Sequence, residues 1–199
     1  MTLEQAFFVI FSFLVGSLPF AMWVGRFGIG VDIRNYGDGN PGAFNVYRAG
    51  GVKSFMLALV LDISKGATPV GLAYQVFGWD GVAIVLVAIA PVFGHAFSPF
   101  LSFNGGKAIA TTFGIWIGLT LWTIPLVAMI TLVIAYKLLD SSAWAVIITM
   151  FAMLGILLIS NSASELYVVW VINLFLILYT HRNELARLPR FRTETIANA

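Results

Sequence analysis

The sequence predicts an all-α, polytopic membrane protein of seven transmembrane helices. Three observations predict it. The chain is 60% hydrophobic and 10% charged, whereas a soluble domain carries about 25% charged residues. Its mean hydropathy is +0.94. Its basic residues gather on one side of any seven-span arrangement.

A spanning helix needs about 20 mostly apolar residues. Leu3 to Gly25 provides the first. It opens with Glu4, without a basic n-region or an A-x-A site, so it reads as a retained span rather than a signal peptide. Val52 to Phe77 forms the second, although it contains Asp62 and Lys65. Gly81 to Ala96 is a short third. Gly106 to Lys137 is too long for one span and short for two, and Pro125, just after Leu121 and Trp122, predicts a tight turn between two short or tilted helices. Ala143 to Ser160 and Leu166 to Thr180 complete the set, and residues 1–199 read as a single membrane domain.

Charge supports that split. Arg26, Arg34, Arg48, Lys53, Lys107, Lys137, Arg182, Arg187, Arg190 and Arg192 fall on one side, ten of the eleven basic residues. The other side holds Glu4, Asp80 and Glu165 with no base. Positive-inside bias then sets the C-terminus in the cytoplasm and the N-terminus outside. One span in place of two would carry the C-terminal arginines across. The long loop at 26–52, the segment at 98–107, the turn at 136–142 and the stretch at 180–187 therefore share the cytoplasmic face.

Composition also excludes. There is no cysteine, so disulfides, thiol nucleophiles and cysteine metal sites are ruled out. A net charge of +2 is too small and scattered for nucleic acid binding. His95 and His181 are the only histidines, and without an acidic cluster they make a weak metal case. Neither metal nor cofactor is expected.

Two stretches could carry chemistry. Val31 to Gly51 holds Gly37, Gly39, Gly42, Gly50 and Gly51 with Pro41, and reads as neither an ordinary helix nor a strand. Glycine allows successive N–H groups to line one concavity, an anion nest. Asn40 and Asn45 add neutral donors; Arg34 and Arg48 add charge and a fork suited to phosphate. A plain connector, turned by its glycines, is the alternative.

The second stretch is Gly94 to Gly114, with Gly105, Gly106 and Lys107 ahead of a helical run. A helix N-terminus with a lysine is a ready anion site; a snorkelling positive-inside anchor is the alternative. Ala108 after the lysine breaks the nucleotide-binding pattern G-x-x-x-x-G-K-[ST]. Asp62 and Lys65, spaced i, i+3 inside a span, read first as a structural ion pair.

Together these stretches resemble the bacterial membrane acyltransferases that move an acyl chain from acyl phosphate to glycerol 3-phosphate. The likeness lies in GSLPF at 16–20, DIRNYGDGNPGAFN with Arg48, LDISKG at 61–66, GHAFSPFLSFNGGKAIAT at 94–111 and HRNELARL at 181–188, in that order along the chain. The resemblance implies an enzyme of phospholipid biosynthesis in the bacterial inner membrane, with its active site facing the cytoplasm. Acyl phosphate, glycerol 3-phosphate and membrane lipid would be its partners, and lysophosphatidic acid and phosphate its products. Carried over by position, the phosphate loop is Gly37, Gly39, Asn40, Gly42 and Asn45. Arg48, Lys107 and His181 take the catalytic roles. Arg34, His95, Gly105, Gly106, Thr111 and Ser142 join the substrate-binding set.

The chain departs from the family pattern at Asp38 (serine), Phe44 (threonine), Asn104 (lysine), Ala108 (glycine) and Glu184 (asparagine). Asp38 and Glu184 bring negative charge to an anion site unless a base pairs with them. Two other readings remain: a small-anion transporter, and a non-catalytic paralogue that binds acyl phosphate.

Overall fold

A computed structural model describes residues 1–192. Among them are nine α-helices and no strand. In chain order they are α1 Leu3–Ser17, α2 Phe20–Trp23, α3 Ala43–Gly71, α4 Gly81–Ala96, α5 Ile109–Thr120, α6 Thr123–Leu138, α7 Ser142–Ile159, α8 Ser164–Thr180 and α9 Arg182–Leu185. Short π-helical turns extend α2 over Val24–Ile29 and α3 over Leu72–Val76. Four helical stretches are long and apolar enough to cross a membrane, Leu3–Ile29, Ala43–Val76, Gly81–Leu101 and Ser142–Ile159, the first of them broken at Leu18 and Pro19. Three shorter apolar helices, α5, α6 and α8, stand beside them.

Local sequence explains the boundaries. Thr2 caps α1 in a reciprocal pair with Gln5, which satisfies two of the first-turn N–H groups. Ser141 accepts from the Trp144 N–H at the start of α7. The run from Gly106 to Lys137 breaks at Leu121 and Trp122, as expected, with Leu121 at φ 54°. Pro125 lies just past the break, in the first turn of α6, where its missing N–H costs nothing.

The expected long loop at 26–52 needs correction. Its middle is irregular, but residues from Ala43 onward are helical, so Arg48 stands on α3. The helix is interrupted only at Gly51, at φ 73° and ψ −167°. Glycine alone reaches that conformation cheaply. The Ala43–Gly50 turns are held by Asn45, Val46 and the anchors described below.

α1 packs mainly on α4, and α3 on α5. The α3–α5 contact is close because glycines line it: a Cβ on Gly114 would meet the Ile63 carbonyl, and one on Gly66 the Thr111 carbonyl. Small residues let backbones approach where lipid offers no hydrophobic drive between helices. Buried polar bonds then tie neighbours together. Trp116 Nε1 donates to Asn173 Oδ1 at 3.3 Å, and Asn173 Nδ2 to Thr112 Oγ1 at 3.0 Å, joining α5 to α8. Trp170 Nε1 donates to the Met150 carbonyl at 2.8 Å, joining α8 to α7. Large apolar side chains such as Phe7, Phe11, Ile130, Phe151 and Phe175 face outward, as lipid-facing residues do.

Asp62 and Lys65 form the expected internal pair at 2.8 Å, both side chains almost fully buried. Lys65 Nζ also donates to the Leu18 carbonyl at 2.8 Å, at the break between α1 and α2. The Leu18 carbonyl, which also accepts the Phe20 N–H at 3.0 Å, thus gives the buried ammonium a second partner beside Asp62.

The longer helices alternate in direction. Ser98 Oγ donates to the Ser17 carbonyl at 2.6 Å, which ties the end of α1 to the segment after α4. Ser142, opening α7, meets Glu184, which follows α8. At the other end, Glu165 on α8 accepts from the Gly81 N–H of α4 at 3.0 Å. The first end therefore collects the starts of α3, α5 and α7 and the finishes of α1, α4 and α8.

Candidate functional site

Two glycine loops and the tail of α8 converge at that end. The first loop turns at Gly37 (φ 59°) and Gly39 (φ 74°), where a left-handed backbone needs glycine. A Cβ on Gly37 would also strike the Arg48 guanidinium and the Asn45 side chain. Asn45, 2% exposed, organises the loop. Its Nδ2 donates to the Asn40 carbonyl at 2.8 Å and to Asp38 Oδ1 at 3.0 Å, and its Oδ1 accepts from Arg48 Nη1 at 2.9 Å. Gly42 then starts α3 with no side-chain cap, so the helix presents its first N–H groups beside this loop.

The second loop folds back on α4. Gly105 N–H donates to the Ala96 carbonyl and Gly106 N–H to the His95 carbonyl, each at 3.1 Å. There is no room for a Cβ at either glycine, since each would meet His95. Lys107 is thereby set ahead of α5, with Ala108 at φ 63° as N-cap. Thr180 Oγ1 donates to the Lys107 carbonyl at 3.3 Å, fastening the loop to α8.

Lys107 is where the three segments join. Its Nζ lies 2.6 Å from Asp38 Oδ2 and forms a second ion pair with Glu184 Oε1. Arg48 Nη1 is 4.0 Å from Asp38. Burial alone would lower the lysine, but the hydrogen bonds it donates to Asp38 and Glu184 outweigh that and hold the ammonium above its ordinary value. Burial likewise pushes Asp38 up, and the Lys107 hydrogen bond with its charge brings the carboxylate net below the usual range. Asp38 also accepts the Asn40 N–H at 3.2 Å.

His181 is 1% exposed. Its Nδ1 faces the Ile177 carbonyl at 2.9 Å and Thr180 Oγ1 at 3.1 Å. A carbonyl requires a donor, so the neutral ring carries its proton on Nδ1 and keeps Nε2 as acceptor. Burial holds the imidazole below its ordinary value.

An apolar cavity of about 350 Å³ opens beside Lys107, Asn40 and Gly42. Phe44, Phe55 and Leu59 of α3, Phe113 of α5, and Met129 and Val133 of α6 line it. A polar head site at the mouth of an apolar hollow suits an amphiphile with an anionic head and an alkyl tail. A polar cleft of about 390 Å³ lies on the far side of Glu184, lined by Asp140, Ser142, Asn183 and Arg187.

The residues expected from sequence distribute unevenly. Gly37, Gly39, Asn40, Gly42, Asn45, Arg48, Gly105, Gly106 and Lys107 come together, and His181 stands behind Lys107. Ser142 joins through Glu184 Oε2 at 3.5 Å. His95 lies buried under Gly106, and its Nδ1 has no hydrogen-bond partner among the described residues. Arg34 does not join: its guanidinium is taken by Asp32 at 2.6 Å. Asp38 is therefore paired with Lys107 rather than Arg34. Thr111 is also apart, its hydroxyl donating to the Asp62 carbonyl at 3.2 Å between α5 and α3. Sequence reading missed Thr180 as the fastener of Lys107. It also missed that the bases answering Asp38 and Glu184 are one and the same lysine. Glu184 sits three residues after His181 on α9, a spacing that puts both beside one turn.

Comparison with known proteins finds one family. A family model described as glycerol-3-phosphate acyltransferase matches residues 6–190. A glycerol-3-phosphate acyltransferase of Maridesulfovibrio salexigens is 34% identical over 188 residues, covering 92% of this chain and 93% of that protein. Glycerol-3-phosphate acyltransferase 1 of Thermotoga maritima is 35% identical, covering 91% and 96%. Among solved structures, the glycerol 3-phosphate form of PlsY (YgiH), an integral membrane glycerol 3-phosphate acyltransferase, superposes with a TM-score of 0.84 at 31% identity, covering 92% of this chain and 91% of that one. Its lysophosphatidic acid form gives 0.83 at 30%.

Proposed function

The chain belongs to the glycerol-3-phosphate acyltransferase family, and from that premise we propose that it transfers an acyl chain from acyl phosphate to glycerol 3-phosphate, yielding lysophosphatidic acid and phosphate. The observation that carries this reading is the meeting of the two glycine loops on Lys107 at the mouth of the apolar cavity. An acyl phosphate has the matching shape, a dianionic head on an alkyl chain. The solved relatives bound to glycerol 3-phosphate and to lysophosphatidic acid support the acceptor and the product.

Acyl phosphate is a mixed anhydride, already activated, and needs no covalent acyl-enzyme. The acceptor hydroxyl attacks the carbonyl carbon, the new ester C–O bond forms, and the C–O bond to phosphate breaks. The Gly37–Asn45 loop and the start of α3 receive the departing phosphate. Arg48 and Lys107 hold the acceptor phosphate. His181 Nε2 or the leaving phosphate takes the hydroxyl proton. Alignment of two bound reactants is worth about 7–11 kcal/mol in favourable cases. An oxyanion donor adds about 3–4 kcal/mol.

Within the membrane we place seven spans, α1, α3, α4, α5, α6, α7 and α8, with the N-terminus outside and the site facing the cytoplasm of the bacterial inner membrane. The alternating helix directions and the basic residues crowding one end support this placement.

The test is incubation of purified protein in lipid with labelled glycerol 3-phosphate and, separately, palmitoyl phosphate or palmitoyl-CoA. Labelled lysophosphatidic acid is expected from palmitoyl phosphate alone. Product from the thioester alone would overturn the donor assignment. Palmitoyl phosphate binding without product would favour the non-catalytic paralogue.

A further inference from the structure

The donors that an entering phosphate needs are already engaged by the protein's own carboxylates. Asp38 accepts from the Asn40 N–H, from Asn45 Nδ2 and from Lys107 Nζ, a backbone, amide and ammonium set of the kind that binds phosphate. Glu184 takes a second bond from the same ammonium, and its other oxygen lies at Ser142 Oγ. The two carboxylates come from the first loop and from α9, segments far apart in sequence. They leave the Arg48–Lys107 pair with no surplus positive charge.

We propose that Asp38 and Glu184 are specificity-determining residues that serve as internal counter-anions of Lys107. A phosphomonoester acceptor binds only by displacing a carboxylate from the lysine. An uncharged polyol acceptor meets no such competition and can donate its hydroxyls to the same carboxylates. The bond changes are those of the reaction above: an ester C–O bond forms, the anhydride C–O bond breaks, and the hydroxyl proton leaves with phosphate or through His181. The protein therefore prefers glycerol 3-phosphate over glycerol by a narrower margin than the same site without these carboxylates.

Two readouts test this, of which only the second rests on the acyl-transfer reading. Inorganic phosphate binding is measured calorimetrically on the wild-type protein, Glu184→Asn, and Asp38→Ser/Glu184→Asn. Asp140→Asn serves as control, since it removes a negative charge from the neighbouring cleft without touching Lys107. The double variant is expected to bind phosphate at least tenfold more tightly than wild type, the Glu184 variant to gain at least threefold, and the Asp140 variant to change less than twofold. In the transfer assay, the ratio of kcat/KM for glycerol 3-phosphate to that for glycerol is expected to rise at least tenfold in the double variant. Unchanged or weaker phosphate binding in both Glu184 variants would overturn the proposal. So would an equal gain in Asp140→Asn, which would make the effect a general field. Absence of transfer to either acceptor in every protein contradicts the reaction proposed above, and the phosphate titration still decides the role of the carboxylates.

Discussion

At the scale of single residues, Lys107 concentrates the account. Among the described residues it is the one side chain bonded to the first loop and to α9, while its carbonyl is bonded to α8. Lys107→Ala and Arg48→Ala are each expected to lower kcat/KM by a factor of about 100 or more, the loss typical when a donor to developing charge is removed. Gel-filtration profiles of both should match wild type, because neither side chain belongs to the helix core. Full activity in either purified variant removes that residue from the site. His181 gives a pH prediction. Its folded value is depressed by burial, so its neutral form is favoured and its contribution is complete above about 6.5, the ordinary histidine value. In the folded enzyme the neutral ring is lost only as pH falls through that depressed folded value. The acid limb of log kcat/KM is therefore expected below pH 6.5 and should disappear in His181→Asn. An acid limb above 6.5, or one retained in the variant, contradicts the assignment.

At the scale of elements, the loops work because glycine and close packing fix them. Ala108 is an exception, as are Ser102 and Phe103 earlier in the same loop. Ala108 holds φ 63°, a left-handed conformation that costs a side-chain-bearing residue roughly 1–2 kcal/mol. Ala108→Gly is expected to raise unfolding free energy by about 1 kcal/mol, a gain readable as a higher Tm, and a fall in Tm would show the site to be unstrained. Gly114→Leu should do the opposite, since any Cβ there meets the Ile63 carbonyl and pushes α5 from α3. The apolar cavity gives a third expectation. Met129→Trp fills its α6 wall and should shift donor preference toward shorter acyl phosphates, measured as relative kcat/KM for dodecanoyl and palmitoyl phosphate. An unchanged preference would place the tail elsewhere.

The extents of α4, α7 and α8 and the break at Leu121 were legible because apolar run length, charge and turn residues report them directly. The interruption at Leu18 and Pro19 inside the expected first span, Leu3 to Gly25, was not, since both residues are apolar and continue the run. The glycine-rich stretch was misread in its second half. Gly42, Gly50 and Gly51 flank seven residues whose composition looks like loop, yet they are helical, with Val46 and Asn45 buried and Arg48 bonded to Asn45 one turn back, and burial is not written in local composition. Arg34, expected among the substrate-binding residues, is held instead by Asp32, two residues away. The pairing of Asp38 and Glu184 through Lys107 joins residues 38, 107 and 184, a separation that no local pattern reports.

At the scale of the whole molecule, a bundle with an apolar exterior collects its polar chemistry at one end. The alternation of helix directions brings the starts of α3 and α5 beside the finish of α8, and so assembles the Lys107 cluster from three distant segments. The absence of native cysteine makes the arrangement testable by single-cysteine labelling in intact cells. Asp140→Cys is expected to stay unlabelled by a membrane-impermeant maleimide until the membrane is opened, and Asp80→Cys to label at once. The reverse pattern would invert the protein in the membrane.

The most direct test of the central claim is the stoichiometry of the reaction. Purified protein in lipid, given palmitoyl phosphate and glycerol 3-phosphate, is predicted to release one phosphate for each lysophosphatidic acid formed, and Lys107→Ala to lose both products together. Phosphate release that proceeds without lysophosphatidic acid, or that persists undiminished in Lys107→Ala, would contradict it.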